Sequence, residues 1–227
     1  NTVYNELLNY KNDFKAATDA KAYLGRVGTD MPYLDGYVLK SSMKMPFADS
    51  IKALADGQTF GPYLDAKSYV IAKMVAKRSI ADSVFCMHIL VKTGQGGVSD
   101  SIAKKRIDSV ETVIKAGADF KTVMKAVSDD KAATSQDNGV MKFASSQIQD
   151  AKSFDQDFAK FILLDGKAGE KKVVHTQFGY HYIYITEQKN IGEAVKVAYL
   201  AKSIAPSSET NDAANNAAMQ FASSVKN

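Results

Sequence analysis

Histidine is the residue type in this sequence best suited to proton exchange near neutral pH, and the 227 residues contain three histidines. His88 and His181 each lie in an apolar, β-branched stretch that predicts a strand. A lone histidine on a strand is usually structural, but two on adjacent strands of one sheet favour a deliberate pair. If the strands are neighbours, ring nitrogens of the two side chains should lie within hydrogen-bond range, about 2.7–3.2 Å.

Two other uses of these residues are less well supported. Cys86 lies two residues before His88 on the same predicted strand, so the side chains share a face about 7 Å apart. That separation is too long for a nucleophile and its base, and the apolar neighbours of Cys86 indicate a buried, inert thiol. A metal site of His88, His175 and His181 lacks supporting cysteine or carboxylate spacing. We therefore predict no metal and no cofactor.

The composition is that of an ordinary globular protein, with 45% hydrophobic residues, 24% charged residues and a net charge of +4. The densest basic cluster is Lys104, Lys105 and Arg106, which lacks interleaved aromatic residues, so we expect no binding to nucleic acid. No apolar run approaches the roughly 18 residues that cross a bilayer. Because the chain begins with Asn1, we expect any signal peptide or anchor to have been removed or to lie outside this sequence.

Hydrophobic periodicity predicts the order β-α-α-β-α-β for residues 82–188. The strands are assigned to Ser83–Val91, Val140–Phe143 and a part of Val173–Ile185. The first helix is the best defined, because a candidate cap, Ser99, precedes apolar residues spaced as i, i+4, i+7 and i+11. These residues are Ala103, Ile107, Val110 and Ile114. A second helix begins after Asp119, and Phe154, Phe158 and Phe161 share one face of a third.

The flanking segments repeat parts of this pattern. Residues 36–75 predict a strand, a short helix and a closing strand, in the same order as residues 139–186. Val195–Ala201 similarly repeats the strand that carries His88, and a helix follows at about residues 209–224. Each flank alone would leave an apolar face and sheet edges uncovered. We therefore expect residues 1–81 and 189–227 to combine, with Val195–Ala201 pairing with strands from residues 36–75.

Three stretches resemble the parvulin family of peptidyl-prolyl isomerases: Met87–Val91, Gly117–Phe120 and Val174–His181. They are similar to its opening strand, its first interhelical turn and its closing Thr-x-Phe-Gly-Tyr-His signature. The resemblance covers residues 82–188 and implies an α+β fold, a parvulin-like (FKBP-like) antiparallel sheet with flanking helices. It makes the combined chain ends a second, degenerate parvulin-like unit. The flanks resemble the multidomain SurA- and PpiD-type folding factors of Gram-negative envelopes.

The resemblance also implies a site. His88 and His181 correspond to the paired core histidines, Asp130 faces the substrate amide, and Thr176 steadies the histidines by hydrogen bonding. The remaining positions would bind the proline-containing substrate: Val140, Ile148, Phe154 and Phe178, with Phe158 as an alternative to Phe154. That alternative arises because the stretch between Ile148 and Phe154 is longer than in the family. The usual Gly-Gly-Asp-Leu-Gly turn is also altered here, to Asp-Asn-Gly-Val-Met at residues 137–141.

The implied function is cis–trans isomerisation of X-Pro bonds in unfolded or extended polypeptides, in the periplasm or cell envelope of a Gram-negative bacterium. Such bonds isomerise slowly because twisting the amide breaks its resonance, a barrier of about 20 kcal/mol. Catalysis needs an apolar slot for the proline ring and polar groups that favour the twisted amide, with no covalent intermediate. Two alternatives stay open: a non-catalytic chaperone or peptide-binding module, and a structural scaffold. Client proteins, self-association and membrane anchoring are also left open.

Overall fold

A computed structural model describes residues 2–135, 137–148, 154–204 and 208–225. The helices are α1 (Thr2–Ala16), α2 (Ala20–Val27), α3 (Ala48–Ala53), α4 (Asp100–Lys115), α5 (Phe120–Val127), α6 (Lys131–Ser135), α7 (Ser145–Ile148), α8 (Gln156–Ala159) and α9 (Ser208–Ser224). The strands are β1 (Val38–Leu39), β2 (Thr59–Asp65), β3 (Ser68–Ile80), β4 (Ser83–Lys92), β5 (Met141–Ala144), β6 (Lys171–Thr176), β7 (Gly179–Lys189) and β8 (Gly192–Ser203). A π-helical segment, Lys160–Asp165, continues α8.

The chain divides into two compact units. One comprises residues 35–43 and 77–196, and the other comprises residues 1–34, 44–76 and 197–227. These bounds differ from the predicted segments 1–81, 82–188 and 189–227. The difference arises because β3 and β8 are longer than the sequence pattern predicts, and each strand contributes residues to both units.

The unit that contains the histidines is built on an antiparallel sheet with the strand order β5-β4-β7-β6. Successive side chains on a strand point to opposite faces, so central strand β4 supplies apolar residues to both faces of the sheet. Met87, Ile89 and Val91 pack against the helices α4 and α5. Val84 and Cys86 face the other way, toward the core formed by α8 and its π-helical continuation. His88 lies on this second face. The predicted α+β class with an antiparallel sheet is confirmed.

Helices α4 and α5 follow the predicted periodicity. The four residues of the predicted α4 stripe, Ala103, Ile107, Val110 and Ile114, are all buried. The Asp119 side chain caps α5 by accepting a hydrogen bond from the Thr122 N–H. Ser99 occupies the predicted cap position of α4, but its side chain makes no capping hydrogen bond.

The predicted last strand, within Val173–Ile185, is two strands joined as a hairpin. β6 ends at Thr176 and β7 begins at Gly179, so Thr176 and His181 lie on different strands. Gly179 has a φ of 134°, and a Cβ at this position would lie 2.2 Å from the Val91 carbonyl oxygen. Glycine is therefore required where β7 starts beside β4. A short helix, α6, also occupies part of the predicted polar loop at residues 128–138.

The second four-stranded sheet has the order β1-β8-β3-β2. β8 pairs antiparallel with β1, with Val195 opposite Val38, which is the pairing expected between Val195–Ala201 and residues 36–75. If β8 is matched with β4, β3 with β7, β2 with β6 and β1 with β5, the two sheets have the same strand order. Leu7 and Phe14 of α1 pack with Ala198 and Leu200 of β8 in the core of the other unit.

Candidate active site

The two strand histidines form a buried pair. In the β4–β7 ladder Leu90 is opposite His181 and Ile183 is opposite His88, so the two histidines are diagonal neighbours on one face. Their Nδ1 atoms lie 2.9 Å apart, inside the range expected from the sequence. The rings are nearly parallel, at 15°, and each residue is 5% exposed. The geometry is that of a direct hydrogen bond between the imidazoles.

Each outer nitrogen of the pair has a polar partner. His88 Nε2 lies 3.2 Å from Asp130 Oδ2, and His181 Nε2 lies 2.8 Å from Thr176 Oγ1. A carboxylate only accepts, so His88 Nε2 donates to Asp130, and His88 Nδ1 then accepts from His181 Nδ1. His181 Nε2 in turn accepts from the Thr176 hydroxyl, whose oxygen receives the Phe178 N–H at 3.1 Å. The four side chains thus form one hydrogen-bonded chain with both imidazoles neutral.

The electrostatics of the pair agree with this protonation. Burial, and secondarily the neighbouring His88, lowers the pKa of His181 from 6.5 to about 3. Burial also lowers the pKa of His88, although the Asp130 carboxylate opposes that shift. Both rings are therefore uncharged at neutral pH, because a cation here would lose its hydration without full compensation.

A tight turn holds Asp130 against the end of β4. The wholly buried Ser128 hydroxyl accepts the N–H groups of Leu90 at 3.1 Å and of Asp130 at 3.3 Å. The Asp129 N–H donates to the Leu90 carbonyl at 2.8 Å, and the Asp129 carboxylate accepts the Lys92 N–H at 2.9 Å. These bonds attach the turn to the strand that carries His88, which fixes where the Asp130 side chain begins.

The two oxygens of the Asp130 carboxylate have different surroundings. Oδ1 accepts the Ala133 N–H at 3.0 Å, at the start of α6, while Oδ2 faces His88. The Asp130 side chain is 33% exposed, whereas that of His88 is only 6% exposed. Asp130 is therefore the member of this chain that a bound molecule reaches most readily.

A groove with a volume of 710 Å³ opens over the pair. Its lining residues come from β4, β5, β7, α8 with the two residues before it, the turn that holds Asp130, and the loops that follow β4 and β6: His88, Leu90, Lys92, Thr93, Gly94, Gln95, Asp130, Met141, Phe143, Phe154, Asp155, Phe158, Gln177, Phe178 and His181. Phe158 packs edge-on to the rings of His88 and His181, at centroid distances of 5.7 and 5.4 Å. Phe154 contacts Phe158 at 5.6 Å. Both predicted phenylalanine alternatives thus line the groove, and Phe158 adjoins the histidines.

Not every position implied by the resemblance lies in the groove. Val140 packs against the core under α4 and α5 instead, and Met141 lines the groove in its place. The reason is strand alternation: Met141 and Phe143 face the groove, so residue 140 faces away. Phe178 lies at the rim and is 55% exposed. Ile148 ends α7, and its side chain lies outside the described part of the structure.

The remaining chemical candidates lie away from the pair. His175 is opposite Tyr180 in the β6–β7 ladder, on the face opposite to Thr176, and approaches Asp100 at 3.5 Å. In the part of the chain that the structure describes, no group of three His, Cys, Asp or Glu side chains is placed to hold a metal. Burial raises the pKa of the Cys86 thiol to about 12, which keeps it unreactive.

Sequence reasoning missed Ser128, Met141 and Phe143. For Met141 and Phe143, the alternation of the strand predicted at Val140–Phe143 is a signal that these two residues share a face. The sequence does not show which face of that strand points into the groove. Ser128 had a weaker signal, because serine followed by two aspartates is typical of a side-chain-bonded turn.

The family model of the PPIC-type PPIase domain matches residues 69–189, more than half of the chain. The chain belongs to this family. The predicted resemblance is thereby confirmed, and the matched residues include the whole Asp130–His88–His181–Thr176 chain. The PPIase-family match begins within β3, earlier than the predicted domain start at residue 82.

Chaperone SurA proteins are among the relatives of this PPIase-family chain. Chaperone SurA of Xanthomonas euvesicatoria pv. vesicatoria is 29% identical over 147 residues, which is 60% of this chain and 30% of that protein. Chaperone SurA of Methylococcus capsulatus is 26% identical over 193 residues, 82% of this chain and 41% of that protein. The chain therefore spans less than half the length of these relatives.

A solved structure of the peptidylprolyl isomerase PrsA from Bacillus anthracis aligns with a TM-score of 0.37 and 22% identity, over 49% of this chain and 44% of that one. Within the described residues, no helix has the length and apolar character needed to cross a membrane.

Proposed function

We propose that the groove catalyses cis–trans isomerisation of X-Pro bonds in extended polypeptides. The observation that carries this proposal is the hydrogen-bonded chain from Asp130 through His88 and His181 to Thr176, which lies beneath an aromatic-lined groove. These hydrogen bonds hold the Asp130 carboxylate in a defined position while both imidazoles stay neutral. Isomerisation requires such fixed polar groups and no covalent bond to the substrate.

The apolar part of the groove suits a proline ring. Phe158, Phe154, Met141 and Phe143 supply aromatic and thioether surface around the histidine pair. Phe143 and Phe154 pack edge-on at 4.9 Å, and Phe154 does the same with Phe158, so the three rings support one another. A proline ring placed against them becomes dehydrated, and its fixed shape loses little conformational entropy on binding.

The polar part would act on the amide. In the planar X-Pro bond, resonance places negative charge on the carbonyl oxygen and gives the C–N bond double-bond character. A carboxylate next to that oxygen disfavours this charge separation. It therefore favours the twisted amide, in which resonance and the charge separation are lost. The His88 N–H orients the Asp130 carboxylate, and Thr176 orients His181. We assign these roles without any proton transfer to the substrate.

The substrates proposed for the whole protein are unfolded, proline-containing polypeptides. Two relatives named as chaperones support that proposal, and so does a groove open enough for an extended chain. We further propose a location in the periplasm or cell envelope of a Gram-negative bacterium. The second sheet is proposed to belong to a degenerate copy, since it has the same strand order as the first sheet and its four strands contain none of the three histidines.

The proposal is tested with a short peptide that contains one X-Pro bond, whose interconversion is followed without a coupled protease. Wild-type protein should accelerate the exchange, and His88→Ala should abolish most of the acceleration. His175→Ala is the matched control, because His175 is exposed and lies on the opposite face of the sheet. Peptide binding without acceleration would favour the chaperone reading, which the names of the relatives also favour. Absence of peptide binding would contradict both the isomerase and the chaperone function.

A further inference from the structure

A second groove lies between α4 and α5, on the face of β4 that is turned away from the histidines. Its volume is 680 Å³ and its apolar lining is entirely aliphatic: Val91, Val110, Val113, Val123, Ala126 and Val127. Val113 and Val127 are 49% and 44% exposed, so the described part of the protein leaves these two side chains in contact with solvent. Exposed, clustered aliphatic surface of this kind is typical of a binding surface.

The charged residues of the second groove are balanced. Arg106 and Asp129 line it together with the hydroxyl residues Ser109 and Thr122. The Asp129 carboxylate accepts the Lys92 N–H, whereas the guanidinium of Arg106 makes no hydrogen bond or ion pair with any described residue. One cation and one anion give no preference for a phosphate or a nucleic acid. A guanidinium beside aliphatic side chains suits a polypeptide, whose backbone carbonyl groups accept hydrogen bonds.

The two grooves meet at the end of β4. Val91 lines the second groove, and its neighbours Leu90 and Lys92 line the isomerase groove. Asp129 and Asp130 are divided in the same way between the two grooves. Since consecutive side chains of a strand point to opposite faces, the grooves lie on opposite faces of one strand end. The turn that holds Asp130 is their shared edge.

We propose that the α4–α5 groove binds an apolar segment of the same unfolded polypeptide whose proline enters the isomerase groove. This inference rests on the proposed function. An unfolded chain matches the surface because it presents aliphatic and aromatic side chains together with unpaired backbone carbonyls. Two contacts along one chain raise its affinity through the effective concentration of the second segment once the first is bound.

Val113→Asp is the test variant, and Ile102→Asp is its matched control. Both residues lie on α4 with similar exposure, 49% and 46%, but Ile102 does not line the groove. Affinity is measured by fluorescence anisotropy with a labelled, permanently unfolded protein, and turnover is measured separately with a four-residue proline peptide. Val113→Asp should weaken binding of the unfolded protein about tenfold, because the complex loses the free energy of burying part of one aliphatic side chain. Turnover of the short peptide should not change.

A milder variant guards against a folding defect. Val113→Thr keeps the branched shape of the side chain but adds a hydroxyl, so it should weaken binding in the same direction by about threefold. Thermal unfolding should not change, because Val113 is 49% exposed. Equal affinities of the Val113→Asp and Ile102→Asp proteins would overturn the inference. A wild-type dimer that Val113→Asp converts to monomer would also overturn it, because a second copy would then be the occupant.

The inference and the proposed function fail separately. If wild-type protein does not accelerate isomerisation but Val113→Asp still loses affinity for the unfolded protein, the proposed catalysis is wrong and the second groove remains a polypeptide site. If isomerisation is present and Val113→Asp binds the unfolded protein as tightly as wild type, only the inference about the second groove is wrong.

Discussion

Mild acid should destabilise the unit that contains the histidine pair, and replacement of His181 should remove much of that effect. Burial, with a smaller contribution from His88, holds the pKa of His181 at about 3 in the folded protein, against 6.5 for an ordinary histidine. Between these values the unfolded state binds a proton that the folded state does not bind. The free energy of unfolding therefore falls as the pH falls through this interval, and it is unaffected by this group above pH 6.5.

The size of the effect follows from the same values. Each pH unit below 6.5 costs about 1.4 kcal/mol for a histidine that stays neutral in the folded state. Lowering the pH from 6.5 to 5 should thus remove about 2 kcal/mol through His181 alone. The pKa of His88 is lowered as well, so its contribution has the same sign. Carboxyl groups of ordinary pKa titrate near pH 4, which leaves the interval between pH 5 and 6.5 to the histidines.

Denaturant unfolding, followed by circular dichroism between pH 5 and pH 7.5, measures this dependence. Wild-type protein should lose stability steadily below pH 6.5, and His181→Gln should show a much shallower slope in the same transition. His175→Gln should keep the wild-type slope, because His175 is exposed and contacts Asp100 rather than the pair. A wild-type stability that stays constant over this interval, or a His181→Gln protein with the full slope, would refute the buried neutral pair.

Three substitutions extend the account. Ser128→Ala leaves the N–H groups of Leu90 and Asp130 without their acceptor, so it should cost about 1–3 kcal/mol of stability and lower peptide turnover severalfold; normal turnover would contradict the positioning role. Lys73→Met removes the buried ammonium that donates to carbonyl oxygens at the end of α1, and thermal unfolding should show a loss of about 2–4 kcal/mol. Phe158→Ala should cost about 3 kcal/mol in denaturant unfolding and weaken proline-peptide binding; an unchanged Kd would place the proline elsewhere.

The sequence predicts those features that depend on local pattern. The apolar run around His88 identifies a central strand, and the stripe from Ala103 to Ile114 identifies α4, because burial on one or both faces leaves a periodic trace. The histidine pair can be predicted from the sequence for the same reason. Two polar residues on otherwise apolar strands are unusual, and the closing signature places His181 within a motif typical of the family.

Other features depend on contacts between distant residues. The sequence pattern predicts one strand where β6 and β7 form a hairpin, because the need for glycine at position 179 arises from its closeness to Val91. A four-residue strand shows too few alternations to reveal which of its residues face the groove, so the sequence does not show that Val140 faces away from it. Ser128 is buried by its bond to Leu90, 38 residues earlier in the chain, and no local pattern reports such a contact.

The most direct test of the central claim compares turnover and affinity for one proline peptide in wild-type protein and in Asp130→Asn. Exchange spectroscopy by NMR gives the interconversion rate, and titration of the same sample gives the Kd. The account predicts that Asp130→Asn loses about tenfold or more in turnover with little change in Kd, because the carboxylate acts on the twisted amide. Asp129→Asn, whose side chain accepts the Lys92 N–H instead, should keep both values. Equal losses of turnover and affinity in Asp130→Asn, or no acceleration by wild-type protein, would contradict the account.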